Sequence, residues 1–289
     1  MTPVPSAVPL PPVRRTLDAW GTTITLDAVG SDGDAGLLAA RLEAALPEVR
    51  GLVDEVDRVF STWREDSLVS ALRRGDLAEG RLAQGSAPER LLADVLDRCR
   101  RAREISGGSF DPWAAPGGLD PSGLVKGWGA GRIADLLVAR GLPRVCVNAA
   151  GDIAARGVGP DGGAWRVGVV HPDHRDRLCA ELPTGWVGDL AGPDGSVATS
   201  GFSEQVGHVV DPTTGATTTR ARQATVVGPD AGLADALATA LLVDGHAGDV
   251  WFEDFAATDL GWGRVRTRWG ALVVEGDTLW RMGACSLLD

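Results

Sequence analysis

The apolar positions along the chain follow two periodicities. Residues 22–29, TTITLDAV, alternate polar and apolar side chains and predict a strand with one buried face. From 35 to 60 the apolar residues recur at helical spacing, and Pro47, which has no N–H to donate, predicts one break in that helix. A second helix is expected over 89–105, stopped by Gly107 and Gly108, residues that tolerate positive φ. The stretch 107–131, GGSFDPWAAPGGLDPSGLVKGWGAG, is the most glycine-dense of the chain. It reads as tight turns leading into a helix at about 132–140, closed by Gly141. Beyond Pro143 short β-rich runs recur between Pro, Gly and Asp turns: 144–157, 165–170, 196–202, 208–211 and 224–228. Helical character returns over 230–242, and GALVVEG at 270–276 is a closing strand or hairpin. Strands and helices mix without regular βαβ alternation, which predicts an α+β fold. With no internal repeat, low-complexity tract or linker-like shift in composition, one domain over 13–289 is expected behind a disordered, proline-rich segment 1–12.

Composition narrows what this fold can do. Hydrophobic residues make up 44% of the 289, enough for a sizeable core. The formal charge of -11 argues against a nucleic-acid or anionic-membrane surface, so a bound phosphate needs local compensation. The four cysteines, Cys99, Cys146, Cys179 and Cys285, form no CxxC pair and suggest neither a zinc site nor a disulfide framework. The N-terminal residues do not read as a signal peptide or lipid anchor, and a cytoplasmic, reduced setting is expected. The longest apolar run, at 236–243, is far shorter than the roughly 20 residues of a membrane span.

Three features carry candidate chemistry. Asp235 and Thr239 stand four apart in ADALATALL and project from one helix face, a carboxylate and a hydroxyl suited to Mg²⁺, which takes hard oxygen donors. The same pair also fits a helix-dipole role for Asp235 and back-bonding of Thr239 to its own helix. Lys126, the chain's sole lysine, sits in the glycine-rich stretch before a helix, where backbone N–H groups favour an anion; a solvated loop lysine is the plainer reading. His208 opens HVVDPTTG and is a candidate general base or a hydrogen-bonded structural histidine. His171 and His174 lie in a polar HPDH turn and are expected to be exposed rather than metal-bound. There are ten tryptophans and no tyrosine; most are expected in the core or at interfaces, and one or two suit stacking on a flat ring.

Several segments, taken in order, resemble the FAD:protein FMN transferase (ApbE) family: AWGTTITL (19–26), FSTWREDSLVSALRRG (60–75), GGSFDP (107–112), DPSGLVKGWGAGRIAD (120–135), VNAAGDIAARG (147–157), VATSGF (197–202), HVVDPTTG (208–215) and ADALATALLVDG (234–245). The resemblance covers nearly the whole chain. It implies an α+β, T-fold-like mixed sheet with flanking helices, an FAD cleft between two lobes, and one Mg²⁺. By position, Asp235 and Thr239 would hold the metal with a backbone carbonyl near Gly123. Asp120 and Lys126 would contact the nucleotide and its phosphates, Ser109, Phe110 and Asp111 would line the cleft, and Thr199 and Val209 would meet the cofactor. Trp63 falls where the family has an aromatic, Trp20 where an apolar residue faces the ring, and His208 is the candidate base. The implied activity moves the FMN half of FAD onto a Thr or Ser hydroxyl of a target protein and releases AMP. A Mg²⁺-dependent FAD pyrophosphatase or a non-enzymatic flavin-binding protein would use much of the same site. The chain departs from the family pattern in two places. Only WAAPGGL separates GGSFDP from the Lys-Gly segment, which implies a trimmed or more open cleft. The usual Asn-x-Gly-Gly-Asp is Asn-Ala-Ala-Gly-Asp at 148–152, and its second Ala restricts the backbone.

Overall fold

The structure, a computed structural model, describes residues 11–30, 35–184, 194–201, 209–218, 220–258, 269–285 and 287. Its first feature was not anticipated from the sequence: β1 (Val13–Ala19) precedes the expected strand β2 (Thr22–Ala28) and pairs with it antiparallel. The two-residue turn between them is Trp20 and Gly21, with φ of 53° and 72°. Such a pair of positive angles matches the twist of a tight hairpin. In β2 the period-two pattern holds, with Ile24, Leu26 and Ala28 fully buried.

These strands open an eight-stranded sheet completed by β3 (Val145–Ala149), β4 (Asp152–Arg156), β7 (Gly195–Gly201), β8 (Gln223–Gly228), β9 (Gly270–Glu275) and β10 (Thr278–Gly283). The spatial order is β1-β2-β3-β4-β7-β8-β9-β10, and every ladder is antiparallel. The closing run 270–276 is thus one arm of a hairpin. Between β4 and β7 the chain leaves the sheet to form a two-stranded ribbon, β5 (Arg166–His171) with β6 (His174–Pro183). Val167, Val169 and Leu182 of the ribbon pack on Ile153, Val197, Val227 and Leu272 of the main sheet. The opposite face is covered by helices: α1 (Ala35–Phe60), α4 (Ser122–Ala139), α5 (Ala231–Asp244) and, at the β9–β10 end, α6 (Asp249–Ala257), with α2 (Leu68–Arg74) and α3 (Ala87–Ile105) outside them. The result is three layers, helices, sheet and ribbon, within the α+β class. α2 and α6 are further elements that the sequence reading left unassigned.

Two expectations require correction. α1 runs unbroken through Pro47. Pro47 is exposed, so water can satisfy the carbonyl that loses its partner, while the buried stripe from Leu38 to Phe60 holds the helix together. The second correction concerns α4, which begins at Ser122 rather than 132, so that the Lys-Gly-Trp-Gly-Ala-Gly run is helical. Each interior glycine costs a helix roughly 1 kcal/mol relative to alanine. Here the glycines are the contact surface. A Cβ on Gly127 would lie 2.1 Å from the Ala231 carbonyl oxygen, and one on Gly129 would lie 2.5 Å from the Trp20 ring. Only without side chains can α4 approach α5 and the first hairpin so closely, and the packing offsets the weak propensity.

Among the described residues no helix is long and apolar enough to cross a membrane.

Glycines in the two helices should therefore respond in opposite directions. Gly127→Ala is expected to destabilise the fold by about 1–3 kcal/mol or more through overpacking. Gly51→Ala, at an exposed position of α1 with nothing within 4 Å of the added methyl, should stabilise it by about 0.5–1 kcal/mol. Denaturant unfolding of both variants reads the two signs directly.

Candidate functional site

A cavity of about 930 Å³ wraps the end of the sheet where the turns 20–21 and 150–151 and the C-terminus of β7 meet. That volume lies at the upper end of ligand pockets. On the helix side its wall includes Gly123, Lys126, Ser200, Asp235 and Thr239. On the ribbon side it includes Ile153, residues 167–170, Thr199 and Gln223. One space therefore joins a charged, hydroxyl-rich wall to a largely apolar one.

Asp235 is fixed by two helices. α5 is capped by Asp230, whose carboxylate accepts the Leu233 N–H at 2.9 Å and also pairs with Arg98 at 3.1 Å. Asp235 is therefore not the residue that answers the helix dipole. It is 3% exposed, and its Oδ2 accepts the backbone N–H of Gly127 at 3.1 Å, a contact made possible by the close approach of α4 and α5. Burial pushes its carboxyl well above the ordinary carboxylate range, and the charge of Asp152 adds to this. Lys126 and the Gly127 N–H oppose the shift without cancelling it. Thr239, one turn further along α5, places Oγ1 3.1 Å from Ser200 Oγ, so its side-chain partner lies on the adjoining strand β7 rather than on its own helix. A Cβ on Gly123 would lie 3.2 Å from that Oγ1, which puts the start of α4 against the same hydroxyl.

The sequence reading missed Asp152 and Ser200. Asp152 opens β4 with 2% exposure, and Lys126 Nζ lies 3.3 Å from its Oδ2. The available signal was an acid at the head of a strand otherwise built of Ile and Ala. Asp152 follows the turn Ala150–Gly151, with φ of 55° and 95°. Ala150 adopts the left-handed turn despite the restriction expected of it, and Asn148 Oδ1 clamps that turn by accepting the Gly151 N–H at 2.8 Å. Lys126 is not in a loop before a helix but inside α4, beside the residue that holds Asp235.

The remaining candidates also line the cavity. Ser109 and Phe110 follow α3, and the Phe110 N–H is accepted by Ser106 Oγ at 3.1 Å. Asp111 accepts the Trp113 N–H at 2.9 Å and is paired with Arg103 at 2.6 Å. Asp120 accepts the Ser122 N–H at 3.0 Å, where α4 begins. Both carboxylates thus have structural work at the rim. Trp20 donates its indole N–H to the Val53 carbonyl at 3.3 Å. Trp63 is 93% exposed in a loop pinned by Ser61 Oγ, an aromatic face held out in water at the cavity. Thr199 pairs with Thr225 across β7 and β8 at 3.0 Å, and Val209 lines the same space. His208 lies outside the described residues. His171 and His174 meet at the ribbon tip with ring centroids 5.0 Å apart.

The candidate donors on this wall are hard oxygens: the Asp235 carboxylate, the Thr239 hydroxyl and the backbone at Gly123. This set suits Mg²⁺, which keeps several positions for water or phosphate oxygens. Among the described residues no group of three or more His, Cys, Asp and Glu could hold a metal by itself, so a cation here would rely on those hydroxyl and backbone oxygens.

Fold and cavity together define an α+β protein with a small-molecule cleft at the end of an antiparallel sheet. The sequence model of the ApbE family matches residues 114–257, the stretch that carries Gly123, Lys126, Asp152, Ser200, Asp235 and Thr239. An FAD:protein FMN transferase of Vibrio cholerae is 26% identical across 82% of this chain and 83% of its own. One of Treponema pallidum is 28% identical across 72% and 73%. Among solved structures, the flavin transferase ApbE from Vibrio cholerae superposes with a TM-score of 0.69 at 21% identity, covering 94% of this chain and 96% of that one. The ApbE protein of Thermotoga maritima gives 0.71 at 18% identity, over 94% and 97%. The chain belongs to the ApbE family, and its named relatives are enzymes.

The raised carboxyl of Asp235 sets a testable pH dependence. The folded state holds this proton more tightly than the unfolded chain does. Its stabilising effect is complete below the ordinary aspartate pKa and is lost as pH rises through the folded value. In chelator, wild-type stability measured relative to Asp235→Asn should fall as pH is raised from about 4. Saturating MgCl₂ should reverse that fall. Thermal unfolding of the two proteins across pH, with and without the salt, measures both effects.

Proposed function

We propose that the chain transfers the FMN moiety of FAD to a Thr or Ser hydroxyl of a target protein. The acceptor oxygen forms a bond to the FMN-side phosphorus, the P–O–P linkage breaks, AMP departs, and the hydroxyl proton passes to a base. The observation that carries this reading is the gathering of the buried Asp235 with the partly exposed Thr239, Gly123 and Lys126 on one wall of a cavity large enough for a dinucleotide.

Phosphoryl-type transfer asks mainly for positioning and for charge stabilisation. Mg²⁺ held by Asp235, Thr239 and the Gly123 backbone would neutralise the pyrophosphate and the departing AMP. Lys126, on the same wall, offsets the charge of Asp152 and leaves most of that neutralisation to the cation. Trp20 and Trp63 offer aromatic surface to the flat rings, Trp20 rigidly through its contact with Gly129 and Trp63 from the rim. Asp111 and Asp120 act on the nucleotide through the loop they organise between α3 and α4. His208 is the proposed base, on the basis of the HVVDPTTG resemblance. Only seven residues, WAAPGGL, separate GGSFDP from the Lys-Gly segment, and Ala114, Ala115 and Pro116 among them line the cavity, where an acceptor segment would approach.

The test is incubation of the protein with FAD, MgCl₂ and a domain bearing a Thr flavinylation segment, following the acceptor's intact mass together with AMP and free FMN. An FMN-sized gain is expected. It should fall by a factor on the order of 10²–10³ in Asp235→Asn, as when a key electrostatic group is removed from a transfer site. Free FMN and AMP without an adduct would replace the proposal with a hydrolase. Bound FAD without turnover would point to a carrier.

A further inference from the structure

A threonine that gives a lone pair to a cation must place its single hydroxyl proton somewhere else. On a helix the usual acceptor is the carbonyl four residues back. Thr239 does otherwise: its Oγ1 lies 3.1 Å from Ser200 Oγ, on the neighbouring strand β7. Ser200 shares the helix-facing side of β7 with Ala198, which packs among the apolar side chains of α5. The strand end is stiffened from its other face, where Thr199 and Thr225 join β7 to β8 at 3.0 Å. Both Ser200 and Thr239 line the cavity, and the start of α4 closes on Thr239 from the far side, within 3.2 Å of a Cβ placed on Gly123.

We infer that Ser200 is a positioning residue for the cation site: its oxygen accepts the Thr239 proton and turns the Thr239 lone pairs toward Gly123 and Asp235. The inference rests on the reading of Asp235 and Thr239 as cation donors. Neighbours that orient a metal ligand in this way are commonly worth about 10–100-fold in affinity. Ser200 acts through Thr239 and not on the ion, so its contribution disappears when Thr239 is absent.

Calorimetric titration of the full chain with MgCl₂, without FAD, tests this on wild type, Ser200→Ala, Thr239→Ala and the double variant. Melting temperatures without Mg²⁺ report whether each fold is intact. Ser200→Ala is expected to bind Mg²⁺ about 10–100-fold more weakly, with its Mg²⁺-free melting temperature nearly unchanged. The double variant should bind no more weakly than Thr239→Ala alone. Ser200→Cys, which keeps the shape but offers a weak acceptor, should also lose affinity and serves if the alanine variant unfolds. Wild-type affinity in Ser200→Ala or Ser200→Cys would overturn the inference. A further loss in the double variant would also overturn it, making Ser200 a direct donor. Wild-type affinity in Thr239→Ala would instead remove the cation reading itself, and the inference with it.

Discussion

The approach of α4 to α5 at Gly127 is the constraint on which the site depends. A side chain at that position would collide with the Ala231 backbone, so glycine alone lets the Gly127 N–H reach Asp235. Two consecutive residues of α4 then engage two buried acids by different means, Lys126 through its ammonium on Asp152 and Gly127 through its backbone on Asp235. Both acids are buried, and each is held by an element other than its own. A helix of weak intrinsic propensity is thus kept in place by tertiary packing, and the same packing sets the spacing of charges in the cavity wall.

Backbone strain is concentrated at the same place. Among the described residues Trp20 and Ala150 are the non-glycine residues with positive φ, and both line the cavity. The left-handed region costs an L-residue on the order of 1–2 kcal/mol. Each turn is over-determined by its surroundings. The Trp20 ring lies against Gly129 while its indole N–H reaches α1, and Asn148 clamps the second turn. The return on that strain is position: one turn presents an aromatic ring, and the other delivers Asp152 to Lys126. Strained residues held by packing are characteristic of binding and catalytic surfaces.

The sequence made the pairing of Asp235 with Thr239 legible because helical spacing is a rigid rule. Asp235 and Thr239, four apart among small residues, had to share a face, and the structure puts both on one cavity wall. The three-layer arrangement was less legible. β1 carries Arg14, Arg15 and Asp18 on an exposed edge, so its alternation is masked by charge. α4 was hidden by glycines whose purpose is visible only when the partner helix is in place. Asp152 escaped because a single acid in a strand gives no periodic signal; its meaning lies in Lys126, 26 residues away in sequence but 3.3 Å away in space.

The electrostatic balance explains why one lysine suffices and why it does not suffice alone. The chain carries a formal charge of -11, and its single lysine is already engaged with a buried carboxylate. Lys126 therefore offsets Asp152 and has little positive charge left over for a doubly negative pyrophosphate. Asp235, buried and pressed toward its protonated form, places a carboxylate on the cavity wall close to that pair. In the proposed reaction such a wall repels nucleotide phosphates until a further positive charge arrives, and a small divalent ion beside ionised Asp235 would supply it. In the proposed reaction the acids are then not obstacles to phosphate binding. They make that binding conditional on the cation, confining strong nucleotide affinity to a state in which the charge needed for transfer is already in place.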